Sequence, residues 1–435
     1  MEKHQVKIFA RQMSPRLNYI AGILLGDILG LSWEFTSDRR KLGKHPVINY
    51  SLEKIAGSFR IDPSPLLFEQ GIRQAEINPG TWKNLPIFFQ ADSDSDFPFD
   101  IFAASFYLVT RYEEYLDFQP DEYGRFRATS SVAYKNGFLG IPVVDIWTKE
   151  LARALIRKYP VIAFRRNEFK ALLTIDADEP FEYLGKDVLR NFGGLLRDIA
   201  VNRAHAEDRY KVLKHEKKDP YQVFDYITEN IRKNNIDARF FIPVGDHSKY
   251  DRNPSWKNDE YRILIRSIAS EYPVGLHPSF NSADDPSLIS SELSRLKAIL
   301  SKDIVASRFH YLRLFTPASY MDLSNAGITE DYTMGYADEP GFRAGIARPY
   351  PFYNVKDDCQ TGLMIIPFQV MDVTLYNYKK LEPQDGLEII LKIINETRIA
   401  GGLFTTIWHN TSLLDSQEWK GWRMVFETML QDLRK

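Results

Sequence analysis

Two acids, three histidines and several arginines stand where apolar runs of this chain turn polar. Asp176 and Asp178 close the run in TIDADEP, and His277 lies in GLHPSFN. Arg308 and His310 lie in SRFHYLR, Arg343 in GFRAG and His409 in IWHN. Residues two apart on a strand point to the same side, so Asp176 and Asp178 are set to face one site at a strand end. One carboxylate of such a pair can take a proton from water while the other holds a metal ion. The plainer reading of the same residues is an Asp-rich turn that caps the next helix.

A histidine offers a ring nitrogen to a divalent metal, or titrates near neutrality as an acid or base. His277 taken alone also fits a capping or loop role. Arg308 and His310 have strand spacing; an arginine there orients a carboxylate, binds a charged group or makes a structural ion pair. Arg343 sits among small residues, as in a ligand-approaching loop or a tight surface turn. Asp331, after GITE, falls at a further strand end or in a turn. His409, between Trp408 and Asn410, is a general-acid candidate. Several other chemistries lack their signals: the chain has no GxGxxG after a strand, no P-loop, no HExxH and no GxSxG elbow. Cys359 in KDDCQTG has no evident partner histidine.

These residues need elements to carry them. The runs at 169–176, 238–244, 273–277, 304–311, 361–370 and 402–410 read as short buried strands. Helical spacing fits 221–234, 258–270, 288–300, 385–398 and 417–433, a polar stretch at 184–217, and a short helix at 316–327 closed by Gly327. Strands alternating with helices predict a β/α barrel or a doubly wound sheet. Residues 1–165 read as a mixed α/β region. Strands are expected at 6–10 and 45–51, short apolar runs at 65–71 and 85–90, and a glycine-broken helix at 17–31. Further helices are expected at 100–116, with Asp100 as N-cap, and at 142–159. The acids at 92, 94, 96 and 100 form a solvated loop or a cation site. Composition shifts near Arg165, so two domains are expected, 1–165 and 166–435, in keeping with a 435-residue chain.

Charge is nearly balanced, 56 Lys and Arg against 58 Asp and Glu, which does not favour capture of nucleic acid or a membrane surface. A single cysteine excludes an intramolecular disulfide and fits a reducing compartment. The start, MEKHQVKIFARQ, lacks a secretory pattern, and the apolar stretch 19–33 contains Asp27 and is too short to span. A cytoplasmic protein without a membrane span is expected. The 23 Tyr and 28 Phe suit an aromatic-lined sugar cleft as well as ordinary cores.

Together the polar islands resemble the polysaccharide deacetylase family, carbohydrate esterases with a NodB homology domain. More narrowly, they resemble the Bacteroidetes-type group with an extra N-terminal domain. The resemblance covers 166–435 through its motifs and 1–165 through a less specific accessory region. It implies a distorted (β/α) barrel, a divalent metal, most often zinc, held by one Asp and two His, and hydrolysis of acetyl groups on a carbohydrate.

By that resemblance Asp176 is the general base and Asp178 a metal ligand, although the family's two acids are adjacent and here Ala177 separates them. His277 matches the first histidine of the second motif. Asn281 stands where the family's second histidine falls, so His310 is expected to complete the metal set, with Asn281 as the alternative. Arg308 and Arg343 compete for the third motif. Asp331 is the carboxylate near the fourth motif if Arg308 is the third, and His409 is the general acid of the last. Two other functions compete. One is a degenerate carbohydrate-binding or polysaccharide-assembly protein. The other is a metal-independent glycosidic hydrolase using Asp176 and Asp331.

Overall fold

The first half of the chain alternates short β-branched runs with turn residues, and it builds a small sheet of its own. In the computed structural model, which describes residues 5–434 apart from 76, 187–192, 196, 200–202 and 417, this sheet has four parallel strands. They are β1 (Gln5–Phe9), β2 (Ser32–Thr36), β3 (Val47–Asn49) and β4 (Phe59–Arg60), in the order β2-β1-β3-β4. A hairpin of β5 (Gly80–Trp82) and β6 (Leu85–Ile87) turns on Lys83 and Asn84, both with positive φ. That is the backbone a two-residue hairpin requires.

Asp100 caps the helix Ile101–Val109, accepting from the Ala103 amide at 3.0 Å. This helix is buried on every side. It stops well short of 116 because Arg111 takes a left-handed conformation (φ 54°) and the chain tightens into a 3₁₀ turn, Tyr112–Tyr115. The expected helix at 17–31 divides into an α-helix, Pro15–Ala21, and a π-helical segment, Gly22–Ile28. The apolar run at 65–71 opens with a 3₁₀ turn, Pro65–Leu67. The acidic run is a loop whose Asp94 and Asp96 meet Lys54 and Lys158.

The second half is the parallel α/β unit. Its strands are β7 (Lys170–Asp176), β8 (Asp237–Ile242), β9 (Val274–Leu276), β10 (Ala306–Ser307), β11 (Glu330–Asp331), β12 (Tyr350–Asn354), β13 (Cys359–Ile365), β14 (Val370–Met371) and β15 (Leu403–His409). The order is β12-β13-β11-β10-β9-β8-β7-β15-β14, and every pairing is parallel except β12 with β13. Helices such as Phe224–Asn234, Asp259–Glu271, Ser287–Leu300 and Pro383–Ala400 connect them. The expected helical stretch 184–217 falls partly outside the described residues; within them Arg203–Leu213 is helical.

The sheet curls into a distorted barrel. Its two ends are joined by the irregular segment 366–369, where the Phe368 amide donates to Met334 O (3.0 Å) and the Gln369 amide to Thr405 O (2.9 Å). Inside, Phe241, Ala306, Tyr332 and Ile366 form one apolar cluster, backed by Leu172 and Leu403. Leu312, Ala337, Phe368, Met371 and Ile407 form the next. Stacked side-chain layers contributed by different strands are what fill a barrel of this size.

The expected strand 304–311 shortens to Ala306–Ser307. Its neighbour β9 gives out at Leu276, and Pro278 beyond it has no amide to return a ladder bond. The chain then turns through His310–Leu312, with Tyr311 and Leu312 both left-handed (φ 58° and 54°).

The main apolar core runs from Val6 to Leu433 and is continuous across residue 165. Buried polar contacts cross the same boundary: Arg343 pairs with Glu114, and Arg111 donates to the Arg343 carbonyl. Among the described residues no helix is long and apolar enough to cross a membrane.

Candidate metal centre

Parallel strands deliver their C-terminal ends to one rim, where α/β folds place their sites. Strands β7 and β15 pair in a register that sets Asp176 opposite His409. Asp178 follows two residues beyond Asp176, His277 directly follows β9, and His310 lies three residues past β10. All five line one cleft of about 640 Å³.

Asp176 is buried, and its Oδ1 accepts from Arg308 Nη1 at 2.7 Å. Arg308 is fully buried. Its Nε donates to Tyr332 O at 3.1 Å, and its guanidinium lies 4.3 Å over the Phe241 ring. Such a rigid cation holds one carboxylate oxygen and leaves Oδ2 turned to the cleft, 3.8 Å from His277 Nε2.

Each imidazole is anchored through Nδ1. His277 Nδ1 lies 2.5 Å from the Arg308 carbonyl, His310 Nδ1 2.9 Å from Asp251 Oδ1, and His409 Nδ1 2.8 Å from Asp372 Oδ1. These partners can only accept, so each Nδ1 carries the proton, and in a neutral ring Nε2 presents its lone pair. All three Nε2 atoms point to Asp178. His277 is 3.1 Å from Oδ1, while His310 and His409 are 3.3 and 3.5 Å from Oδ2. Lone pairs facing a carboxylate repel unless positive charge lies between them.

In the metal-free protein, protons meet that need. Burial alone lowers the His310 pKa, but the carboxylates of Asp178 and Asp251 outweigh it and push the pKa up to about 10. For His409 burial again lowers, and Asp372 with Asp178 raises the pKa to about 9. Burial raises the Asp178 pKa, yet the charges of His310 and His277 hold it well below the usual carboxylate range.

A divalent cation meets the same need. Among the described residues Asp178, His277 and His310 are a group that could hold a metal ion, with donor atoms within 4.8 Å of one another. Asp178 Oδ1 is buried without a hydrogen bond. Nδ1 anchors on a carbonyl and a carboxylate are the outer partners that ligating histidines use. The residues therefore fit the group.

Three expected site residues lie elsewhere. Arg343 is buried in an ion pair with Glu114, with Nε 2.9 Å and Nη2 2.7 Å from its two oxygens, and does not line the cleft. Asp331 is fully buried behind the rim. It accepts from Ser307, from Thr333 Oγ1 and from the Thr333 amide, and burial raises its pKa to about 6. A glycosidic mechanism pairing Asp331 with Asp176 across the cleft has no geometry here. Asn281 is exposed in the 3₁₀ turn Phe280–Ala283, outside both the cleft lining and the ligating group. Of the two arginines, Arg308 bonds Asp176 and Arg343 bonds Glu114. Trp408, beside His409, packs in the core against Trp422 and Phe426 rather than in the cleft.

Sequence reasoning passed over Asp251 and Asp372. Asp372 in QVMDV, just after β14, carried a readable signal, an acid at a strand end. It takes the His409 amide (2.7 Å) and ring, and also the Ser412 hydroxyl. Asp251 lies in an irregular loop and had none. Also passed over were Glu122, Tyr123 and Arg125, which reach the cleft from the first half of the chain.

Comparison with known proteins yields these likenesses. Residues 6–160 match a family described as "Family of unknown function (DUF7033)". No curated protein matches the chain. Among solved structures, a putative polysaccharide deacetylase from Mycobacterium smegmatis is 15% identical with a TM-score of 0.41, over 62% of this chain and 84% of that one. A probable polysaccharide deacetylase from Pseudomonas aeruginosa PAO1 is 8% identical with a TM-score of 0.39, over 61% and 85%. A CE4 family pseudoenzyme from Bacillus anthracis is 13% identical with a TM-score of 0.32, over 62% of each chain.

Proposed function

We propose that this protein is a metal-dependent hydrolase that removes acetyl groups from a carbohydrate or glycoconjugate, with residues 166–435 as the catalytic unit and 1–165 as an accessory domain. One observation carries the reading: Nε2 atoms of His277 and His310 converge with Asp178, while Asp176–Arg308 and His409–Asp372 stand beside them. Asp178, His277 and His310 would hold the ion. Two imidazoles and a carboxylate with room for exogenous ligands suit zinc. When bound, such an ion supplies Lewis-acid polarisation of an acetyl carbonyl and acidifies water.

The protein's own groups do the proton work. Asp176 takes the proton of the attacking water at Oδ2, since Arg308 occupies Oδ1. His409 Nε2 delivers a proton to the departing amine or hydroxyl. Asp372 fixes its ring orientation and favours its protonated form. Tyr123, Tyr250, Tyr311 and Trp419 line the cleft and give it the aromatic surface that suits a sugar. A second cavity of about 700 Å³ shares Glu179 and Arg252 with it, leaving space for a substrate larger than one sugar.

The test is Asp176→Asn on the full chain, with acetate release measured from a panel of acetylated sugars and metal content measured in parallel. Turnover should vanish while bound zinc is kept. Acetate release at the wild-type rate would reject the role of Asp176. Absence of both metal and acetate release in the wild-type chain would reject the function.

A further inference from the structure

His310 is carried by a strained turn that both halves of the chain hold. After β10 the backbone places two consecutive non-glycine residues, Tyr311 and Leu312, in the left-handed region, at φ 58° and 54°. Such a conformation is strained for a residue with a Cβ and persists only where surrounding contacts impose it. From the barrel, the His310 amide donates to Pro278 O at 3.0 Å.

Asp251 also holds the His310 ring, and Arg313 Nη1 donates to Phe280 O at 3.2 Å; a further set of restraints comes from the tip 121–125 in the first half of the chain. Arg125 Nη1 donates to the Tyr311 carbonyl at 2.6 Å. In return, Arg313 Nε donates to the Tyr123 carbonyl at 2.9 Å. Two guanidinium-to-carbonyl bonds thus cross in opposite directions and bracket the left-handed pair. Arg125 is itself buried and fixed. Its Nε bonds Asp121 Oδ2 at 2.7 Å, its Nη2 bonds the Tyr378 hydroxyl at 3.0 Å, and its guanidinium lies 4.8 Å over the Tyr123 ring. Tyr123 packs 5.2 Å from the Tyr311 ring. Gly124 (φ 82°) brings the tip so close that a Cβ there would stand 3.0 Å from Phe315.

We infer that Arg125 is a positioning residue: through the Tyr311 carbonyl it sets the turn that aims His310 Nε2 at Asp178, so the accessory region completes the metal centre without touching it. The inference rests on His310 being a ligand in the function proposed above. It also gives the first half of the chain a task in the chemistry, which the ligand residues alone do not.

The experiment uses the full chain with Arg125→Met and Arg125→Lys, each alone and combined with His310→Ala. Two readouts are taken: Co²⁺ affinity by chelator competition, and the rate at which diethyl pyrocarbonate modifies each histidine in the metal-free protein, resolved by peptide mass spectrometry. Arg125→Met should weaken Co²⁺ about 10- to 100-fold, the range for partners behind a ligand. In the His310→Ala background it should weaken Co²⁺ no further. Lysine lacks the planar fork needed to hold Tyr311 O and Asp121 together, so Arg125→Lys should recover only part of the loss. Modification of His310 should accelerate several-fold while His409 stays at its wild-type rate.

An unchanged Co²⁺ affinity with unchanged His310 modification overturns the inference, as does an equal affinity loss with and without His310. If the wild-type chain binds no Co²⁺, the metal reading fails. Modification of His310 then decides whether Arg125 positions it, acceleration supporting that role and no change overturning it.

Discussion

Glu114→Gln should remove a buried charge that two arginines share, and the cost can be worked from its surroundings. Side chains of Glu114, Arg343 and Arg111 are 4%, 4% and 1% exposed. Glu114 Oε1 accepts from Arg111 Nε at 2.7 Å and Arg343 Nε at 2.9 Å, and Oε2 from Arg343 Nη2 at 2.7 Å. Glutamine keeps the shape, but it leaves two buried guanidinium groups without their shared anion and turns an amide NH₂ toward one of them.

Removing one partner of a buried pair costs about 3–5 kcal/mol. Linkage points to the same size. Burial raises the Glu114 pKa, but Arg343 and Arg111 overcome that and hold it at about 2, against 4.5 for the free side chain. At about 1.4 kcal/mol per unit this corresponds to roughly 3 kcal/mol. Because the folded value is the lower one, the stabilisation is complete above pH 4.5 and fades as pH falls toward 2.

Urea unfolding followed by both circular dichroism and tryptophan fluorescence should show Glu114→Gln about 3 kcal/mol less stable at pH 7. The gap to wild type should narrow as pH drops below about 4.5. A variant within about 1 kcal/mol of wild type at pH 7, or a gap unchanged down to the acid limit of folding, would refute the reasoning. The same network predicts that Arg343→Met lowers stability without lowering kcat at temperatures where the variant is folded. A folded Arg343→Met protein without turnover would return Arg343 to the site.

Other outcomes follow from the placement of the remaining residues. His310→Ala should strip the metal from the purified chain, whereas Asn281→Ala should leave metal content unchanged, as read by elemental analysis. Asp372→Asn should lower kcat toward the level of His409→Ala, a loss of about 10²- to 10⁴-fold, and should add little in the double variant, since both changes disable one general acid. Asp331→Asn should destabilise the fold by about 1–3 kcal/mol through its mispaired buried amide and leave the KM for an acetylated sugar unchanged. A changed KM would place Asp331 at the substrate.

What the sequence determined by itself was local. Apolar runs ending in acids and histidines marked β7, β9 and β15 and the residues at their ends, because strand propensity and side-chain alternation are written in neighbouring residues. Capping by Asp100 was equally legible, since a cap and the amide it binds lie three residues apart.

Tertiary structure decided whatever depended on distant partners. GFRAG and SRFHYLR both offered an arginine, and only the curl of the barrel brought Arg308 to Asp176 while the packing of the first half drew Arg343 to Glu114. Spacing along the chain pointed from His277 to Asn281, yet the turn after β10 places His310 beside Asp178 and His277. Asp251 and Arg125 stayed hidden for the same physical reason. A hydrogen bond is short-ranged in space and indifferent to separation in sequence, so a residue that holds a distant ring or carbonyl leaves no local pattern of its own.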